Sequence, residues 1–389
     1  MTDHCWSCGA PDPEPFYRLE RIPISSCVLL DSHADAVGFP KGELALCFCA
    51  ACGFIQNSLF DPAILDYTQD YEESQGFSPT FGAFAQGLVD RLIERYGFRG
   101  KKVFEIGCGK GDFLSLICKS GGNEGLGIDP GYREGRLAAD VNAKVIAEFF
   151  TEPAEELTGD LICCRHTLEH IQPVGDFVHL VRQSAEQRSG SVVFFEVPDT
   201  LRILKEGAFW DVYYEHCSYF TLGSLGRLFQ AKGFDPLSLR TGYADQYLLL
   251  EAKVREGDSA GGFPGEDDLG DVASGVRSFV DATHAAIADW DRRISDAAAA
   301  GKKVVIWGAS SKGVAFLTSL RSGSTVEYAV DINPYKQGRF LPGAGQEIVG
   351  PDFLEGYGPD LVIPMNPIYV EEIRSDLARR GLTPEIVAV

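Results

Sequence analysis

The 389 residues carry 35 Lys plus Arg against 56 Asp plus Glu, a formal net charge of −21 that repels a phosphate backbone and points to a small-molecule partner rather than nucleic acid. With 45% hydrophobic residues, the chain can build two or three globular cores. It shows no secretion leader and no apolar run of membrane-spanning length, so the expected setting is the cytoplasm, with no membrane partner.

Eleven cysteines in a chain of this kind suggest reduced thiols and metal ligation rather than disulfides. Cys5-Trp6-Ser7-Cys8 and Cys49-Ala50-Ala51-Cys52 are two C-x-x-C knuckles. Four thiolates fill a tetrahedral zinc site with no open position, so the metal is expected to fold this segment rather than catalyse. Cys47 lies close enough in sequence to replace Cys49 in that set. Cys27, Cys108, Cys118, Cys163, Cys164 and Cys217 read as packing residues. Residues 1–75 are therefore expected to form a zinc-binding module of short strands.

Phe81 to Tyr96 has the periodicity of an amphipathic helix and leads into a second unit, residues 76–255. Lys101 to Ile106 reads as a strand, and the run Glu105-Ile106-Gly107-Cys108-Gly109-Lys110-Gly111-Asp112 sets three alternate glycines between that strand and a helix. Such a turn lets a ligand approach the backbone and leaves the N–H groups of the first helical turn free. Gly125 to Asp129 is a second strand ending in a carboxylate, followed by Pro130, at the distance where such folds grip a ribose. A third segment, Asp160 to Ile171, contains Arg165, His166, Glu169 and His170. Farther on, Phe209-Trp210-Asp211-Val212-Tyr213-Tyr214-Glu215-His216-Cys217-Ser218-Tyr219-Phe220 is dense in aromatic and titratable groups. His216 is a natural general base near neutral pH, Glu215 is placed to orient it, and Tyr213 can donate a hydrogen bond to developing negative charge.

From Glu256 to Asp271 the chain is rich in Gly, Asp, Glu and Ser, as an exposed linker should be, and Val272 to Ala300 has helical periodicity. Residues 256–389 read as this linker helix plus a second Rossmann-like unit. Lys302 to Trp307 is a strand, Gly308-Ala309-Ser310-Ser311-Lys312-Gly313 a glycine-bounded turn without P-loop spacing, and Val314 to Leu320 a helix. Strand Val326 to Val330 runs into Asp331, and strand Leu361 to Pro364 into Met365-Asn366-Pro367. Loops at these strand ends form a binding crevice, with Lys312, Lys336 and Arg339 as sources of positive charge for a diphosphate and Asp331 and Asn366 at its wall.

The order of these motifs resembles the sugar-nucleotide C-methyltransferases of deoxysugar biosynthesis, a family of class I S-adenosylmethionine-dependent enzymes, over nearly the whole chain. The run Asp331-Ile332-Asn333-Pro334-Tyr335-Lys336-Gln337-Gly338-Arg339-Phe340-Leu341-Pro342-Gly343 is the most specific element. The resemblance implies an α/β fold: a Rossmann-like methyltransferase core flanked by an N-terminal zinc module and a C-terminal Rossmann-like, substrate-binding domain. It implies that Glu105, Gly107, Gly109, Gly111, Asp129, Pro130, Arg165, His166 and Tyr71 surround S-adenosylmethionine. It further implies that His216 removes a proton beside the ketone of a nucleoside-diphosphate 4-keto-6-deoxy sugar. The chain departs from the family pattern Tyr-His-Glu-His at Tyr214, which is expected in the catalytic group with Tyr213, Glu215 and His216. It departs again at Gly242-Tyr243-Ala244-Asp245-Gln246-Tyr247, which stands where a His-Gly-Gly-Ser-like segment is usual. Two other readings remain: O- or N-methylation of another small metabolite, and a non-catalytic zinc-containing nucleic-acid-binding module.

Overall fold

A computed structural model describes residues 3–65, 71–257 and 261–389 and contains three sheets. The first begins with β1 (Glu14–Pro23), β2 (Lys41–Phe48) and β3 (Ile55–Asn57), all antiparallel neighbours. The chain then enters the helix Pro79–Tyr96. Ser78 caps its N-terminus, accepting from Phe81 N–H at 3.2 Å, Pro79 is pre-set for the first turn, and Gly97 ends it at φ 69°. Its inner face buries Phe81, Ala85, Leu88, Val89, Leu92 and Ile93, the recurrence that marked it in the sequence.

The central sheet follows: β4 (Lys102–Ile106), β5 (Glu124–Ile128), β6 (Ala143–Ile146), β7 (Leu161–Arg165) and β8 (Val192–Pro198) are parallel to their neighbours. β9 (Ser218–Tyr219) leaves this unit to pair with β3, so the first sheet is completed by the middle of the chain. β10 (Phe234–Gly242) and β11 (Tyr247–Val254) close the central sheet, with β11 antiparallel to both β8 and β10. The order is β6-β5-β4-β7-β8-β11-β10. Because apolar clusters cover both faces, the parallel strands are largely apolar rather than alternating, as in Leu161–Cys164, with Glu105 and Glu196 as buried exceptions.

The third sheet is wholly parallel, in the order β14-β13-β12-β15-β16, from β12 (Val304–Trp307), β13 (Tyr328–Val330), β14 (Glu347–Val349), β15 (Leu361–Pro364) and β16 (Glu385–Ile386). In the second and third sheets the order reverses beside the first strand, at β4 and β12. Crevices for ligands open at such points, outside the carboxyl ends of the strands.

Most of the described residues of 256–271 are exposed, as expected of a linker, but the segment is docked at two points; 258–260 lie outside the described residues. Phe263 is buried, and the Asp268 carboxylate accepts from Thr221 Oγ1 at 2.6 Å, from Gly223 N–H at 2.9 Å and from Arg227 at 2.6 Å. Small polar residues serve here as docking groups. The helix Leu269–Ala299 then runs between units. Phe279 meets Tyr17 edge-on at 5.1 Å, and Trp290 meets Phe316 at 5.2 Å. One apolar core thus takes side chains from the first sheet, this helix and the third sheet. No helix among the described residues is long and apolar enough to cross a membrane.

Candidate functional site

The crevices of the second and third sheets open into one cavity of about 880 Å³, lined from Gly107, Gly109 and Asp129 on one side to Gly308, Ser310 and Asp331 on the other. On the first side, Gly107, Gly109 and Gly111 all have positive φ (67°, 53° and 83°). A Cβ on Gly107 would meet Thr167 Oγ1 at 2.0 Å and Thr167 Cβ at 2.8 Å, so neither backbone conformation nor space admits a side chain there, while at Gly109 the positive φ disfavours one. Asp129, at the end of β5, accepts from the N–H groups of Gly109 (2.8 Å) and Gly131 (2.7 Å) and thereby ties its own loop to the glycine turn. Pro130 and Tyr71 also line this side.

Beneath the turn lies a buried ionic group that the sequence reading only half identified. Arg165 Nε donates to Glu196 at 2.6 Å, and His166 stands between Glu196 (3.1 Å) and Glu169 (3.3 Å). Burial alone would lower the His166 pKa, but the bonds to Glu169 and Glu196 raise it to about 9. Burial pushes the Glu105 carboxyl up to about 8 against the pull of Arg165. Glu105 Oε2 and Arg165 Nη2 are both buried without a hydrogen-bond partner. An acceptor and a donor left open beside a glycine turn suit a ligand with an ammonium and a carboxylate, as the methionine part of S-adenosylmethionine has. Glu196 had escaped notice because it sits inside an apolar strand, β8, where the only signal was one charge amid Phe and Val.

Midway along the cavity, the rings of Tyr213 and His216 lie 4.2 Å apart, and His170 meets His216 edge-on at 4.8 Å. Burial, helped by the neighbouring basic groups, pushes the His216 imidazole well below its usual pKa, so it is neutral at pH 7. Burial pushes the Tyr213 phenol well above its own, so it keeps its proton.

Two residues expected with them lie elsewhere. Tyr214 points into the first sheet, where it packs on Phe60 at 5.6 Å and accepts from Asp61 N–H at 2.9 Å. Glu215 does not hold His216. Its carboxylate accepts from Ser25 Oγ (3.0 Å), Ser26 N–H (2.8 Å) and Ser26 Oγ (2.5 Å), and Ser26 Oγ in turn reaches Ser311 of the third unit at 2.8 Å.

On the far side, Lys312 Nζ lies 2.8 Å from Asp211, which Arg202 also contacts at 2.6 Å. Lys336 is buried, donating to Ser310 Oγ and to Ala309 O at 3.2 Å, with Asp331 at 3.3 Å. Asp331 accepts from Ala309 N–H at 3.0 Å, repeating the role of Asp129 in its own turn. Asn366 and Gln246 form a reciprocal amide pair (2.8 and 3.0 Å) between the second and third units. Arg339 does not line the cavity: it bonds to Leu29 O at 3.0 Å and to Asp31 at 3.0 Å.

Apart from the cavity, the Sγ atoms of Cys5, Cys8, Cys49 and Cys52 all lie within 4.8 Å of one another, with Cys5–Cys52 at 3.6 Å and Cys8–Cys49 at 3.7 Å. A tetrahedron with metal–sulfur bonds of about 2.3 Å has edges of about 3.8 Å, so the four positions fit zinc. Each knuckle is closed by a glycine at positive φ, Gly9 (77°) and Gly53 (75°). Cys47 turns toward Ala45 O and is not part of the cluster.

Residues 81–239 match the family described as a methyltransferase domain, and residues 266–381 the family described as a C-methyltransferase C-terminal domain. Over 388 residues the chain is 27% identical to the C-methyltransferase NovU of Streptomyces niveus, an alignment covering 95% of this chain and 91% of that one. The chain is an S-adenosylmethionine-dependent methyltransferase, and it is similar to C-methyltransferases. The chain is similar in part to the S-adenosylhomocysteine-bound magnesium protoporphyrin IX methyltransferase of Synechocystis PCC 6803. That likeness has 16% identity and a TM-score of 0.35, over 46% of this chain and 84% of that one. A putative S-adenosylmethionine-dependent methyltransferase from Listeria monocytogenes matches at 14% identity and a TM-score of 0.35, over 45% of this chain and all of that one. The family resemblance and the Rossmann-like methyltransferase core inferred from the sequence are borne out.

Proposed function

We propose that this methyltransferase alkylates a carbon atom of a nucleoside-diphosphate keto-deoxysugar, with His216 as the general base. The observation that carries the reading is the pairing of a neutral, buried imidazole with a protonated phenol on the wall of a cavity that joins two nucleotide-type crevices.

Bound S-adenosylmethionine supplies an electrophilic methyl group on sulfonium. Glu105, Gly107, Gly109, Gly111, Asp129, Pro130, Arg165, His166 and Tyr71 hold it in the first crevice. Carbon beside a ketone is a poor nucleophile until it loses a proton, so the chemistry calls for a base at that atom. Neutral His216 has a lone pair for that proton, and Tyr213 donates a hydrogen bond to the oxygen that becomes negative. The second crevice takes the nucleoside diphosphate. Ser310, Ser311 and Lys312 sit there at the start of the helix Ser311–Ser319, whose free N–H groups favour an anion. Lys336, Asp331 and Asn366 shape its wall.

Residues 1–75, 76–255 and 256–389 divide the labour as metal module, donor core and acceptor domain. A zinc ion on Cys5, Cys8, Cys49 and Cys52 is structural, since four thiolates leave it no open position. The reduced thiols it needs agree with a cytoplasmic setting.

The test uses an acceptor deuterated at the reacting carbon. The label should pass to water during turnover, and His216→Ala should lose about 10²- to 10⁴-fold in kcat while binding S-adenosylhomocysteine normally. A near-wild-type rate in that variant, or a new methyl group on oxygen or nitrogen, refutes the mechanism.

A further inference from the structure

We propose that Glu169, His170 and His216 form a second metal site, for a divalent transition ion of the zinc type, and that its occupation inhibits methyl transfer. One donor atom from each of the three residues lies within 4.8 Å of the others. Two imidazoles and a carboxylate are a common zinc donor set, and three protein ligands leave a position open toward the cavity.

The backbone fixes this meeting. Glu169 and His170 belong to the one-turn helix Leu168–His170 after β7, and His216 lies just before β9. The two segments are laced together by Cys217 N–H donating to Glu169 O at 2.9 Å and Ser218 Oγ donating to Ile171 O at 2.7 Å.

A second observation points to a cation. The Glu169 side chain is buried, and its Oε2 has no hydrogen-bond partner, a costly state for a carboxylate oxygen. Its other oxygen faces His166 Nδ1 at 3.3 Å, which would orient it as an outer partner orients a metal ligand. An ion with bonds of about 2.1 Å sets tetrahedral donors about 3.4 Å apart, so the side chains need to close by on the order of 1 Å. The site differs in kind from the cysteine cluster, which offers only sulfur.

Inhibition rests on the reading of His216 as the base. One lone pair cannot hold a metal ion and receive a proton from carbon.

The test is titration of the intact enzyme, its cysteine-bound zinc in place, with Co²⁺ followed by visible absorption. One added equivalent should give the d–d bands of a nitrogen- and oxygen-ligated ion without sulfur-to-cobalt charge transfer. Affinity should fall about tenfold or more in His170→Ala and in the gentler Glu169→Gln. Turnover should fall as the site fills and return with a chelator too weak to strip the thiolate site. Absence of binding, binding unchanged in both variants, or sulfur charge transfer in the spectrum overturns the site. Co²⁺ that binds without slowing turnover overturns the inhibition. The absorbance titration needs neither acceptor nor catalysis, so its outcome is separate from that of the deuterium-release test.

Discussion

Four consecutive residues, Tyr213 to His216, serve three different neighbours. Tyr213 and His216 face the cavity, Tyr214 anchors in the first sheet and Glu215 reaches toward the third unit through Ser26 and Ser311. Sequence proximity suggested one catalytic cluster. The segment has neither helical nor strand periodicity, so nothing in it revealed which way each side chain turns. Tyr214→Phe should therefore cost about 1 kcal/mol of stability, the price of one buried hydrogen bond to Asp61 N–H, and leave kcat unchanged. Thermal melts and initial rates together check this. His166 carries a pH signature. Its folded pKa, about 9, lies above the unfolded value of about 6.5, so its stabilising contribution is complete below pH 6.5 and is lost as pH rises through 9. The apparent Tm should fall by a few degrees across that window in wild type and change less in His166→Gln.

At the scale of elements, the strand–turn–helix units were the most legible part. The expected strand Lys101–Ile106 appears as Lys102–Ile106, Leu361–Pro364 appears unchanged, and the helix expected at Val272–Ala300 spans Leu269–Ala299. Buried parallel strands are short apolar runs bounded by glycine, a strong local signal. β9 was illegible because two residues carry no period, and its pairing with β3 is decided by tertiary packing. The two knuckles were legible as spacing, but the choice between Cys47 and Cys49 was not: Cys47 lies in β2 and Cys49 just beyond its end, where the chain begins to turn. Freshly purified protein should contain one zinc per chain. Cys8→Ser should lower metal content and Tm together, because metal-binding free energy in such modules is folding free energy. Elemental analysis beside a melting curve decides it.

For the whole molecule, charge and length bounded the answer, and the motif order supplied the family. What composition concealed was the intimacy of the three units, since a segment rich in Gly and Asp reads alike whether it is solvated or docked. Glu215 is one of the groups holding them together. Glu215→Ala would strip buried hydroxyl and N–H donors of their partner, and such losses cost about 1–3 kcal/mol each. The variant should unfold at lower urea concentration while its S-adenosylhomocysteine affinity, measured by calorimetry under native conditions, stays within about threefold of wild type, because Glu215 is remote from the donor crevice.

The helix Leu269–Ala299 lies against the first strand of the chain and the last Rossmann-like unit at once. Its sequence is therefore answerable to two surfaces encoded more than two hundred residues apart. A chimera that exchanges only the last Rossmann-like unit for that of a relative would inherit a mismatched seam under Phe16 and Tyr17. Recombination that exchanges this unit should carry β1 and this helix with it as one cassette, leaving the crossover points to fall within the methyltransferase core.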